Sequence, residues 1–373
     1  SHHLRHALQA NGKRIALHFK SPPSGLLSGT PAQVSGVLLG DAMAVESGRE
    51  DVLTLALGGG ENGGTNGGTP APLPNTFGEQ RVAVILVNFP THPSEPWTMA
   101  EAYDMVFNEV DAFFQENSQG QTWFSGEVYG WFTLDLDPSG CPATDISIKA
   151  RQAAGASGAD LSAVDRFIYA FPDIGCPWSG MGTVGGAPSK AWIDGNLSNA
   201  RTVSLDLVHN FGLLHSHLSY CYGDPQLSDS CANWEYGDLI DRMGYSTAGH
   251  FTAFQKERLG WLNYGESAAI VSADSSGSYM LEAYASASKG VKAVRIPRDI
   301  DPVSGQPRSY YLENRQAVGF DEHLATWQHG PAILNGLVFH VGTWGDADSS
   351  YLLHMTPESS DLGDLALAQG ASY

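Results

Sequence analysis

Residues 202–217 read TVSLDLVHNFGLLHSH and hold the histidine cluster whose spacing could do chemistry. His209 and His215 bracket Gly212 in the pattern H-x-x-G-x-x-H. Neutral imidazole is a common zinc ligand, and a metal needs several such donors on one side of the chain. A helix carrying His209 can stop at Gly212, because glycine takes the left-handed conformation that ends helices at little cost. The chain then turns back and sets His215 beside His209, where a continued helix would carry it further along. Two ligands of a zinc site are the expected result. The rest of the thirteen histidines are scattered and are expected to be surface or core residues.

Several elements must hold that turn in place. Helical periodicity covers 200–214, and VAVILVNF at 82–89 is a continuous apolar run ended by Pro90, as a strand buried on both faces requires. Thr98 and Glu101 have capping-box spacing. Tyr103, Val106, Phe107, Val110 and Phe114 then recur at helical intervals, so an amphipathic helix is expected on that strand. RFIYAF at 166–171, closed by Pro172, is a second expected strand. From about residue 265 the pattern turns to short strands, SYMLEAY, VKAVRI, SYYLENR, GLVFHV and SYLLHM.

Residues 58–76 read GGGENGGTNGGTPAPLPNT, in which nothing can bury surface. The short alternating runs RIALHF, QVSGVLLG and DVLTLAL precede it. The expected fold class is therefore α+β, in four parts. A small β-domain at 1–57 and a linker at 58–76 lead to the region bearing the histidines at 77–264. An all-β, sandwich-like domain at 265–373 follows and is expected to be cut short at Tyr373. The chain begins SHHLRHALQA without Met, so a processed or trimmed fragment is expected.

At 373 residues and 42% hydrophobic, the chain suits two or three domains with real cores. No apolar run approaches the roughly 20 residues of a membrane span. Twenty Lys and Arg against forty Asp and Glu leave a net charge of −20, which repels phosphate backbones and argues against nucleic-acid binding. With 43 Gly, 20 Pro and only 16% charged residues, the composition suits a loop-rich exported protein. The four cysteines form no C-x-x-C pair, which argues against zinc ribbons and thioredoxin-like sites. Disulfides Cys141–Cys176 and Cys221–Cys231 are expected, the second closing a short loop just after the histidine turn. Four free thiols in a cytosolic protein are the competing reading.

Further motifs surround the histidine pair. DRMGY spans 241–245 and HFTAFQKERLGWL spans 250–262. Together with NFGLLHSH, EYGD at 235–238 and QTWFSGEVYG at 121–130, the chain resembles the gametolysin family of secreted metalloendopeptidases, within the metzincins. The resemblance covers roughly 80–264 and continues more loosely through YYLENR and SYLLHMTP. It implies a metzincin-like catalytic domain, a mixed sheet plus a zinc-site helix, that acts on proteins or peptides, extracellular-matrix or cell-wall proteins among them. The family's zinc helix reads H-E-x-x-H-x-x-G-x-x-H, with three zinc histidines and a Glu that activates water. Met243 would then be the Met-turn floor beneath the metal, and Tyr245 the tyrosine of M-x-Y that reaches the metal or the tetrahedral intermediate.

The chain departs from this pattern at two positions. Leu205 stands at the first zinc histidine and Asp206 at the general-base Glu. Four residues advance a helix by about 40° beyond one turn, so Leu205 shares a face with His209 yet offers no donor. Asp206 is one methylene short of Glu, and misplacing a base by about 1 Å costs on the order of 100-fold in rate. Asp206, Tyr245 or His217 could replace the missing ligand, and Asp206 could not then serve as base. Arg242 would oppose the metal's charge unless it points away, and the acidic GDAD at 345–348 is expected to be a solvated loop. Hydrolysis is expected to be impaired. The alternatives are a non-catalytic pseudopeptidase that binds peptide or matrix, and a purely adhesive wall or matrix protein.

Limited proteolysis should nick the 58–76 segment first and leave the fragment from about residue 78 intact. A first cut within 80–264 would refute that boundary.

Overall fold

The computed structural model describes short stretches before the linker: 6–10, 13–19, 32–34, 37–39, 42–45 and 52–54. From residue 71 it describes all but 222–230, 246–248, 303, 357, 360–363 and 373. Most of the Gly-rich segment, 58–70, lies outside the described residues. The chain divides into two compact units, Ser1–Gly68 and Thr69–Tyr373.

The first unit contains β1 (His6–Ala10), β2 (Lys13–Phe19), β3 (Ala32–Val34), β4 (Val37–Leu39), β5 (Ala42–Val45) and β6 (Val52–Thr54). One sheet has the order β1-β2-β5-β4, and β3 pairs with β6 in another. The run QVSGVLLG divides between β3 and β4.

The second unit opens with β7 (Gly78–Asn88), which contains most of the VAVILVNF run. Val82, Val84 and Leu86 enter one apolar cluster, while Ala83, Ile85 and Val87 enter another on the opposite face. That alternation is the period of two that a doubly buried strand must show. A helical stretch follows as α1 (Met99–Asp104), a π-helical segment at Met105–Val110, and α2 (Asp111–Ser118). Thr98 caps it, accepting from the Glu101 N–H while the Glu101 carboxylate accepts from the Thr98 N–H. The chain continues through β8 (Thr122–Thr133), α3 (Ala143–Ala156), β9 (Arg166–Phe171), β10 (Gly180–Gly182), β11 (Ser189–Asp194) and α4 (Ala200–Asn210). The sheet order is β10-β11-β9-β7-β8. Its inner pairings are parallel, and β10 runs antiparallel along one edge. Apolar residues of α2 and α4 contribute to one cluster, and those of α3 to the other.

The rest of the unit comprises β12 (Ser216–Tyr220), β13 (Ala232–Trp234), α5 (Ala253–Leu259), β14 (Ile270–Ser272), β15 (Ala293–Ile300), β16 (Pro307–Glu313), α6 (Gly330–Leu334), β17 (Gly336–Thr343), β18 (Ser350–Leu353) and β19 (Leu367–Ala368). Eight strands form one mixed sheet, in the order β13-β12-β18-β17-β16-β15-β14 with β19 on β17. Two mixed sheets and few helices make the fold α+β. The region read as a separate C-terminal sandwich is corrected here, since β12 pairs in parallel with β18 and residues 216–220 thereby join its sheet. SYMLEAY is no strand either. Its backbone bonds are spent singly, from the Glu282 N–H to the Val291 carbonyl and from the Tyr284 N–H to the Asn314 carbonyl. Both expected disulfides, Cys141–Cys176 and Cys221–Cys231, are present. The second spans ten residues, a closure worth about 2–3 kcal/mol in the chain-entropy model. No helix among the described residues is long and apolar enough to cross a membrane.

A cluster of charges sits fully buried where this sheet meets the loop at 238–243. The Arg315 guanidinium lies 2.7 Å from Asp321 and 3.0 Å from Glu313. It also donates to the carbonyls of Ile240, at 2.9 Å, and His250, at 3.2 Å. His340 lies 3.0 Å from Asp238 and 3.2 Å from Glu313. Burial pushes the His340 imidazole down, but Glu313 and Asp238 outweigh it and raise it to about 10. Burial likewise pushes Glu313 up, and His340 with Arg315 outweigh it and hold the carboxyl at about 2.

These shifts set a pH window. The raised His340 contributes in full below its unfolded value of about 6.5 and loses that contribution as pH rises to about 10. The depressed Glu313 contributes in full above its unfolded value of about 4.3 and loses it as pH falls to about 2. His340→Gln should cost about 3–5 kcal/mol near pH 6, because it leaves the buried Asp238 carboxylate without its cationic partner. The gap between parent and variant should narrow between pH 6.5 and 10. Urea midpoints measured across that range test it, and a gap that stays constant to pH 10 would contradict the ion-pair assignment.

Candidate active site

α4 starts where the Asn199 side chain accepts from the Arg201 and Thr202 N–H groups. Every residue from Val203 to Asn210 is buried, so this helix is packed on all sides. It ends at Gly212, whose φ of 100° would strain any other residue. The Gly212 N–H donates to the His209 carbonyl at 2.9 Å, and that of Leu213 to Val208 at 3.4 Å. The turn brings the His209 and His215 rings to 5.0 Å between centroids.

Both imidazoles are oriented by an oxygen partner. His209 donates through Nδ1 to the Leu213 carbonyl at 2.8 Å, and His215 through Nδ1 to the Glu235 carboxylate at 2.8 Å. Each ring therefore presents Nε2 with its lone pair, the arrangement that metal-binding histidines use. At His215 that lone pair accepts from the Tyr236 hydroxyl at 2.7 Å, and the two rings lie 3.9 Å apart. Burial, then the neighbouring His215, lower His209 to about 4, and burial lowers His215 too, so both rings are neutral at pH 7. The donor set fits zinc through two nitrogens. Among the described residues, no group of three or more His, Cys, Asp or Glu gathers to hold a metal ion.

Leu205 is 8% exposed and belongs to the same apolar cluster as Met243, so the position one turn before His209 is filled with hydrocarbon. Met243 is wholly buried, its N–H donating to Asp241 at 2.6 Å and its carbonyl accepting from the Ser216 N–H at 2.9 Å. The Met loop and the exit from the histidine turn are thus bonded directly. Asp206 is 2% exposed, its side chain pressed against Gly180 of β10. Burial pushes its carboxyl well above the usual range, which Arg201 only partly offsets.

The other expected residues lie elsewhere. The Tyr245 side chain is 46% exposed, and the phenol that meets His215 belongs to Tyr236. His217 turns to Asp348, at 3.2 Å, and stacks on Tyr351. That contact ties the acidic 345–348 loop to β12. The Arg242 guanidinium lies over the Phe113 ring at 4.4 Å. Glu235 and Tyr236, both within the EYGD motif, were not singled out from sequence. Their partner lies some 20 residues away, across the β12–β13 hairpin, and no local pattern signals that contact.

The two oriented imidazoles thus lie together between α4, the glycine turn and the loop of Met243. The family model for gametolysin peptidase M11 matches residues 105–327, more than half of the chain, and the chain belongs to that family. No curated protein matches it. Among solved structures, a chain of a chaperone–substrate complex is 16% identical with a TM-score of 0.31, covering 49% of this chain and 34% of that one. Archaemetzincin from Methanopyrus kandleri is 14% identical at TM-score 0.27, covering 50% of this chain and 95% of its own. Metalloproteinase-II from Bacteroides fragilis is 12% identical at TM-score 0.28, covering 51% and 54%. This chain thus spans about a third of the first of these, and the family assignment rests on the sequence match.

Edge strand β10 lies directly on α4. A Cβ at Gly180 would collide with the Asp206 carboxylate, and one at Gly182 would come within 2.8 Å of the His209 Cβ. Gly180→Ala should cost about 1–3 kcal/mol by overpacking. Asp206→Ala should relieve part of it, giving a coupling of at least about 0.5 kcal/mol in a double-mutant cycle. Strict additivity of the two changes would rule out this close approach.

Proposed function

We propose that this chain is a secreted, zinc-binding, metalloendopeptidase-like protein directed at proteins or peptides, with impaired hydrolysis. The observation that carries the reading is Leu205, which puts a buried hydrocarbon where the family has a zinc histidine. His209 and His215 would hold the metal. Zinc supplies a Lewis acid that polarises a peptide carbonyl and brings the pKa of a bound water to about 7. Asp206 is the nearest equivalent of the base. Burial pushes its carboxyl well above the usual range and so disfavours the ionised form that a base needs, which a cation or a rearrangement would restore. Extended peptide would lie along β10, whose outer edge offers unpaired backbone groups beside α4. The two disulfides fit an extracellular protein.

In this reading residues 77–264 supply the catalytic scaffold, and 1–57 form a pro-region-like β-domain. The same observations favour a second reading, a pseudopeptidase that keeps the peptide edge and binds peptide or matrix without cleaving it. Chelator-free zinc analysis and a casein assay on one sample separate the two.

Leu205→His should bring zinc to near one equivalent at concentrations where the parent is only partly loaded, because ligand count sets affinity. Hydrolysis should recover only in part while Asp206 remains. Leu205→His with Asp206→Glu should raise casein cleavage by at least about 100-fold over the parent. If the parent already cleaves casein as fast as the double variant, catalysis is not impaired and the reading fails.

A further inference from the structure

The phenol of Tyr236 meets His215 at the ring nitrogen that Glu235 leaves free. Its hydroxyl is 2.7 Å from His215 Nε2, the lone pair that a metal would take. Neither His209 nor His215 has Nδ1 to spare, since each donates it to an oxygen, so Nε2 is the ligating atom on both. The helix position that normally completes the set is Leu205, which is buried and without a donor. Tyr236 follows β13 in a left-handed conformation, φ 58°, which few non-glycine residues adopt. This aims its ring at His215, 3.9 Å away.

From these contacts we propose that Tyr236, through its phenolate oxygen, is the third protein ligand of the metal and stands in for the histidine absent at position 205. The proposal rests on the metal-binding reading above. Donors about 2.0–2.1 Å from a tetrahedral metal lie roughly 3.3 Å apart, so the hydroxyl must shift sideways off the His215 lone pair by about 2 Å to let the metal in and bind it from the flank. The ring is 40% exposed and has room to make that shift. On binding, the Tyr236 O–H bond breaks, an oxygen–metal bond forms, and the proton leaves to solvent. The ligand set becomes two imidazoles and one phenolate, with a fourth position open. Tyr245, with its side chain exposed, would have no part in it.

Two metals test this on the full chain. Zn²⁺ is titrated calorimetrically in buffers of different ionisation enthalpy, which counts the protons released. Cu²⁺ is titrated optically, because phenolate bound to copper gives a charge-transfer band that imidazole and carboxylate ligands do not. The parent should show that band, and Tyr236→Phe should lose it. The variant should also release one proton fewer with zinc and bind it on the order of 100-fold more weakly. Tyr245→Phe should match the parent in all three readouts, and circular dichroism confirms that each variant is folded. If Tyr236→Phe keeps the parent's affinity, proton count and band, the ligand assignment is overturned while metal binding stands. A band lost only in Tyr245→Phe would overturn it too. If the parent takes up neither metal, the metal-binding reading falls and this proposal with it.

Discussion

The arrangement depends first on the buried charges around Arg315. One guanidinium is shared between Glu313 on β16 and Asp321, and it also caps the carbonyls of Ile240 and His250. Each of these groups would be costly to bury alone, and only the complete set offsets the desolvation. The cluster therefore works as a constraint as much as a source of stability. It closes only if the large sheet, the loop at 238–243 and the start of α5 come together in one geometry. Asp241 extends it, accepting from Met243 and Ser216, while burial and the neighbouring Asp238 raise its carboxyl to about 7.

From that clamp the site follows in short steps. Asp241 positions Met243, and the Met243 carbonyl takes the Ser216 N–H. The exit of the histidine turn is thereby fixed against the Met loop. β12 then runs straight into the large sheet beside β18, so the second half of the chain is part of the site's foundation. On the other side, α4 is buried from Val203 to Asn210, and the glycines of β10 let the edge strand settle against it. The two histidines are held between a buried helix and the edge of the large sheet.

Within this setting the two replacements act locally. Leucine at 205 joins an apolar cluster within an unbroken helix. Asp206 is different in kind. It remains a largely buried carboxyl whose ionised form burial disfavours.

Features set by neighbours in the chain were legible in the sequence. The alternation of β7, the Thr98–Glu101 cap and the stop at Gly212 depend on side-chain period, on a three-residue hydrogen bond and on one residue's backbone freedom. The family motifs were equally local. What only the tertiary structure decided involves partners far apart in sequence. Sheet pairing of β12 with β18 joined the supposed C-terminal domain to the site, because hydrogen-bond registry between distant strands leaves no mark on either one alone. His217 looked like a spare ligand until the strand turned it to Asp348, 131 residues away. Glu235 and Tyr236 gained their roles at His215 only once the β12–β13 hairpin closed. A side chain's type and spacing state what it can do, and the fold selects which distant atom it does it to.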